Sequence, residues 1–298
     1  MTNEAEVSAL PPSLGGQAVI EGVMIRGPKG AAVCVRKPDG EIACRTERAS
    51  DGRSLRSVPV LRGLAALGDT MTQGMRGLIW SAQVAAGHEP EEPSERQVRL
   101  STIMSLGLMS AFFVLAPTAA NRRTGRIAKR LRVPSRLSGA FEGFTRIGML
   151  VGYLRTIGRL PQAQRLFAYH GAEHRAIQAY EAGEPLEVRS LEHFPNAHVR
   201  CGTSFLLTST VLSSLVFGAL GPQTFKQRIF TRLALMPVIA GLSYEAIRLA
   251  GNSDSPLFRL LFRPNMQLQA LTTRDPDEGQ MEVALAAVRA ALALHEGA

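Results

Sequence analysis

The run PQAQRLFAYHGAEHRAIQAYEAGEP, residues 161–185, decides how the rest of this chain is read, because it puts two of six histidines and a carboxylate within five residues. Pro161 precedes it, good helix formers fill residues 162–181, and Gly183 and Pro185 stop it, so the signals predict about five helical turns. His170 and His174 are four apart. Side chains at i and i+4 stand one above the other on one helix face, close enough to share a metal ion. Glu173 precedes the second histidine and completes the order H-x-x-E-H. That is the order of the inverted zinc-protease motif, in which two histidines bind zinc and the glutamate activates water. Short patterns also arise by chance, and paired helix histidines are often plain polar surface, so the flanks have to supply the remaining ligands.

A zinc ion needs at least a third protein ligand. Glu181 shares the face of the two histidines but lies seven residues beyond His174, roughly 10 Å along the axis, too far to join them. His198-Val199-Arg200-Cys201 offers an imidazole and a thiol three residues apart, with Gly202 allowing close approach, and both suit zinc. His193 is a weaker candidate, and Glu245 a further one if its helix end packs beside the site. Ligand number sets the chemistry. With His170, His174 and His198 bound and a fourth position open, the ion can make a nucleophile of water, Glu173 acting as general base. With Cys201 bound as well, the site is closed and structural. Both arrangements stay open at this stage.

The chain has 298 residues, enough for a substantial core without disulfides or a metal. Three cysteines, Cys34, Cys44 and Cys201, form no C-x-x-C pair; a Cys34–Cys44 disulfide is possible but has no pattern behind it. Residues 1–13 read as a disordered tail with no signal peptide. Net charge is +9, and the basic residues peak between Asn121 and Arg136, where seven occur without an acid directly after an apolar segment. That placement suits lipid headgroups. No recognition helix, zinc finger or aromatic stacking pattern accompanies the charge, which argues against a nucleic-acid partner.

Residues 14–50 read as a small N-terminal β domain, with turns at Gly27-Pro28-Lys29-Gly30 and Lys37-Pro38-Asp39-Gly40. Glu21 in its first strand faces either solvent or a site. Residues 51–86 form a helical connector and 87–98 a linker in which His88 is solvated. Residues 99–251 read as a membrane helical domain. Leu100 to Asn121 carries no charge over 22 positions and Cys201 to Phe225 none over 25, each long enough to cross a bilayer. Phe141 to Leu160 and Ile229 to Leu249 are weaker segments interrupted by charge, giving three or four spans; a soluble helical core is the alternative. The basic loop after the first span argues for external termini, and the missing signal peptide argues the reverse. In residues 252–298, Met266 to Thr273 reads as a strand. Asp275-Pro276-Asp277-Glu278 reads as an N-cap opening an amphipathic helix that packs on the β domain, with His295 near its C-terminus.

The fold class expected is therefore α+β: a β domain, a multi-pass helical membrane domain, and a C-terminal strand and helix. The chain resembles the YqhQ-like family of bacterial membrane proteins described as predicted metal-dependent enzymes. The resemblance rests on Gly15 to Met24 continuing through Arg26-Gly27-Pro28, on Tyr169 to His174, on Cys201 to Phe205, on Ala240-Gly241 with Tyr244-Glu245, and on Gln269 with Leu271 to Arg274. Ile25, Arg175 and Val199 depart from its pattern, and none of these is a candidate ligand. The resemblance implies a cell-membrane location and a metal-dependent enzyme. Combined with the motif, the expectation is a hydrolase at the membrane surface, a divalent metal with zinc the best match on His170 and His174, His198 and Cys201 completing it, and Glu173 as base. The rival is a non-catalytic membrane scaffold braced by a structural metal or polar cluster. No motif specifies a substrate or an oligomeric state.

Overall fold

A computed structural model describes residues 13–48, 58, 60–89, 91–111, 135–220, 223–251, 253 and 255–296. Most of the expected tail, the second half of the first expected span and the basic run up to Arg132 lie outside these residues.

Four strands, β1 (Gly15–Val19), β2 (Gly22–Gly27), β3 (Gly30–Arg36) and β4 (Ile42–Arg48), form an antiparallel meander. The turn chemistry builds it. β1 and β2 join through Ile20-Glu21, with Glu21 at φ 53°, and β3 and β4 through Lys37 to Glu41, with Gly40 at φ 92°. Cys34 stands opposite Cys44 in the β3/β4 register, their Cα atoms 4.2 Å apart, and the two are disulfide-bonded. The bridge that composition left without a pattern is set by the register.

Both sheet faces are buried because β2 and β3 are apolar on both sides. Val23, Ile25, Ala32 and Cys34 point one way; Met24, Val33 and Val35 point the other. Trp80 and Val84 of helix α1 (Leu61–Ala85) cover the second face. The first is covered by α4 (Pro161–Glu181) and α9 (Glu278–Glu296), through Tyr169, Ala172 and Ala176 of α4 and Ala284, Ala287 and Val288 of α9. Small residues on both helices allow close approach to the strands.

The remaining helices are α2 (Glu95–Ser110), capped reciprocally by Ser94 and Gln97, α3 (Ser135–Ile157), the single turn α5 (Val188–Leu191), α6 (Gly202–Ala219), α7 (Phe225–Gly251) and α8 (Pro256–Gln269). Leu150 and Leu154 of α3, Leu207 of α6 and Leu268 of α8 make a third, small core. α6 and residues Lys226–Gly251 of α7 are long and apolar enough to cross a membrane; only 6% and 22% of their apolar windows are buried. The described residues thus contain two such helices, fewer than the three or four spans expected.

Two features of the C-terminal region correct the sequence reading. The strand expected at Met266 to Thr273 does not form: α8 runs through Gln269 and turns follow. Its end is fixed by long-range bonds, Gln269 accepting from His198 N and donating to His198 O, each at 2.8 Å. The cap of α9 is Asp277 rather than Asp275, since Gln280 N donates to Asp277 Oδ1 and Asp277 N donates to Gln280 Oε1. Asp275 is drawn away by Arg175 and Asn196.

Candidate metal centre

α4 begins at Pro161 and ends where predicted. Gly183 adopts φ 70°, Gly183 N donates to Tyr180 O and Glu184 N to Ala179 O, the two bonds of a Schellman stop. Between these limits His170 and His174 share a face, their ring centroids 4.4 Å apart. His174 is almost fully buried and His170 partly so.

Each ring is held by a backbone carbonyl. His170 Nδ1 lies 2.8 Å from Thr272 O, and His174 Nδ1 lies 2.6 Å from Asn196 O. A carbonyl oxygen only accepts, so Nδ1 carries the hydrogen in both rings and Nε2 carries the lone pair. Both lone pairs turn toward Cys201. His170 Nε2 is 3.2 Å from Cys201 Sγ, and the ligand atoms of His170, His174 and Cys201 all lie within 4.8 Å of one another. Two imidazoles oriented from behind by carbonyls, with a sulfur completing the set, fit a divalent metal.

Cys201 reaches the set because it is the N-cap of α6, where its sulfur accepts from Thr203 N at 3.3 Å. Thr203 Oγ1 in turn meets Thr272 Oγ1 at 3.2 Å, which ties the start of α6 to the segment that orients His170.

Glu173 is 3% exposed, and its Oε2 lies 3.6 Å from His174 Nε2 and 3.9 Å from His170 Nε2. Burial pushes this carboxyl above the ordinary carboxylate range, an effect opposed by the imidazoles of His170 and His198. Burial likewise holds His174 below the usual histidine range, with Cys201 opposing it. Space for the carboxylate comes from the sheet. A Cβ on Gly16 of β1 would stand 2.3 Å from Glu173 Oε1, so only glycine fits. A second glycine works on α4 itself, since a Cβ on Gly171 would stand 2.2 Å from Arg274 O. That close approach brings Thr272 O within reach of His170.

Not every sequence candidate joins this group. His198 stands behind it, its ring 5.7 Å from that of His174. Its Nδ1 accepts from Arg200 N at 3.3 Å and its Nε2 lies 3.4 Å from Glu181 Oε2, so both ring nitrogens face partners outside the ligand set. Of the pair His198 and Cys201, the cysteine converges. Glu181 also pairs with Arg200. Glu245 is bound in a bidentate pair to Arg62 of α1, at 2.7 and 2.6 Å, and His193 is exposed. Glu21 bonds Arg165 and Tyr169 and docks the first hairpin onto α4.

Sequence reasoning missed the groups that orient the ligands. Asn196 supplies its carbonyl to His174 while its side chain accepts from Arg175 Nε at 2.7 Å and donates to Asp275 Oδ1 at 2.8 Å. Backbone carbonyls leave no residue signature. Gly16 and Thr272 fall within the stretches that carry the family resemblance, the only signal available for them.

A family model described as "Protein of unknown function (DUF1385)" matches residues 58–294. "Uncharacterized protein YqhQ" of Bacillus subtilis (strain 168) is 32% identical over 294 residues, covering 93% of this chain and 91% of its relative. No solved structure matches. The chain belongs to this YqhQ-like DUF1385 family of unknown function.

Proposed function

We propose that this protein is a multi-pass membrane protein and a metal-dependent hydrolase acting at the membrane surface, with zinc held by His170, His174 and Cys201. The observation that carries the reading is the convergence of two carbonyl-oriented imidazoles and a sulfur beside a buried carboxylate. Three protein ligands are the number that catalytic zinc sites use, whereas closed structural sites use four. When bound, such an ion supplies Lewis acidity to a water or a substrate oxygen.

The chain's own residues do the rest. Glu173 takes a proton at Oε2 and returns it to the leaving group, and burial keeps bulk water from competing for that proton. Thr272 and Asn196 hold the imidazoles in the tautomer that presents Nε2. The membrane reading is supported by α6 and α7, whose apolar windows are mostly unburied, unlike a soluble core helix. Cys201 opens α6, so the metal group sits where this helix leaves the sheet-bearing part of the molecule.

Glu173→Gln tests the assignment, because it keeps the shape of the side chain and leaves all three ligands in place. Metal analysis of the detergent-purified variant is expected to match wild type, while complementation of a deletion strain falls by about 10²-fold or more. A Glu173→Gln protein that complements fully with its metal in place returns the site to a structural brace.

A further inference from the structure

Gln269, the last residue of α8, is fully buried, and every polar atom of its side chain is used. Its Oε1 accepts from His198 N at 2.8 Å, while Nε2 donates to His198 O at 2.8 Å and to Ser204 Oγ at 3.1 Å. His198 and Ser204 stand three residues before and three after Cys201. One amide therefore brackets the cysteine that joins the two imidazoles. Within the bracket the backbone is already tied, since Cys201 N donates to His198 O at 3.3 Å and Ser204 N to Cys201 O at 3.0 Å.

The backbone of the same residue serves the other side of the metal group. Gln269 O accepts from Thr272 N and Thr273 N, each at 2.8 Å, and from Thr273 Oγ1 at 2.8 Å. These bonds close the turn whose Thr272 carbonyl faces His170 Nδ1. α8 itself is registered on α6, because Asn265 Nδ2 donates to Thr208 Oγ1 at 3.0 Å and Leu268 packs with Leu207. The place of Gln269 beside α6 is thus fixed by contacts outside the metal group.

We propose that Gln269 is the positioning residue that selects Cys201 over His198 as the third metal ligand. By holding both backbone groups of His198 it fixes the residue whose imidazole turns to Glu181. By holding Ser204 it fixes the first turn of α6, from whose N-cap the sulfur meets His170 and His174. A side chain of similar length without an amide strips His198 N and Ser204 Oγ of these bonds in a buried place, and the segment is then free to rearrange. The inference rests on the metal reading proposed above, and it is read through the sulfur rather than through turnover.

Cobalt(II) added to the metal-depleted whole chain in detergent tests this, because a thiolate ligand gives a near-ultraviolet charge-transfer band that imidazole ligands lack. Wild type is expected to show the band. Gln269→Met should lose it and bind cobalt about 10–100-fold more weakly, whereas Gln267→Met, at an exposed position of the same helix, should keep both. Ser204→Ala removes one of the three side-chain bonds and should weaken the band in part. A full-strength band in folded Gln269→Met overturns the proposal, and so does its loss in Gln267→Met, since any change in α8 would then suffice. Where Gln269→Met does not fold, an unchanged band in Ser204→Ala overturns it instead. A wild-type protein that binds cobalt without the band, or binds none, removes Cys201 from the metal site itself, a different failure from that of the positioning.

Discussion

α4 and α7 are both long helices that bury polar side chains, and they obey opposite rules. α4 buries Tyr169, Ala172, Ala176 and Ile177 against the sheet and α9, and the polar groups it buries, His174 and Glu173, belong to one cluster. α7 does the reverse. Phe230, Leu233, Val238, Leu242 and Leu249 are exposed, while Arg232 and Ser243 are buried. In water the first arrangement lowers free energy and the second raises it; in hydrocarbon the preference is exchanged. Under the proposed membrane reading the chain carries two regions suited to two solvents, and the group of His170, His174 and Cys201 lies at their junction, on α4 and at the N-cap of α6.

The largest expected effect breaks the membrane side of this contrast. Val238→Asp places a charge on the exposed face near the middle of α7, where insertion costs about 2.5–3.5 kcal/mol. Wild type should stay in the pellet after carbonate and high-salt extraction, and the variant should lose that resistance. Release of wild type by salt alone would leave a peripheral protein and collapse the comparison.

On the α4 side, His170→Ala or His174→Ala should abolish metal binding by more than about 100-fold, beyond the range expected for losing an orienting partner. Chelation should then lower the unfolding temperature of wild type and leave either variant unmoved, because metal binding energy is part of the folding energy. A wild-type protein indifferent to chelation would remove the metal from the account.

A smaller effect separates the sheet's role from that of the helix. Gly16→Ala forces a methyl into the Glu173 carboxylate and should cost about 1–3 kcal/mol while impairing function with metal retained. Gly15→Ala meets open space and should be silent. Parity between the two in thermal unfolding would mean that Glu173 does not depend on the sheet.

The smallest effect concerns the support behind His174. Arg175→Ala removes the bonds to Asn196 and Asp275 and should weaken metal affinity about tenfold, read by competition with a chromogenic chelator. An unchanged affinity would show that the Asn196 carbonyl is held by its loop alone.

By itself the sequence determined the elements whose signals are local. The helix of residues 161–181, its proline start and glycine stop, the hairpin turns, the long apolar runs and the i, i+4 histidine pair all follow from spacing within a few residues, where backbone geometry converts sequence distance directly into space. What only the tertiary structure decided depends on segments far apart in the chain. His198 and Cys201 are chemically equivalent candidates until the N-cap of α6 brings the sulfur forward and Glu181 turns the imidazole away. The end of α8 reads as a strand until the bonds of Gln269 to His198 anchor it as a helix. Gly16 cannot announce its contact with Glu173, nor Thr272 and Asn196 their carbonyls, because every residue has a backbone and only packing selects which part of it faces a site.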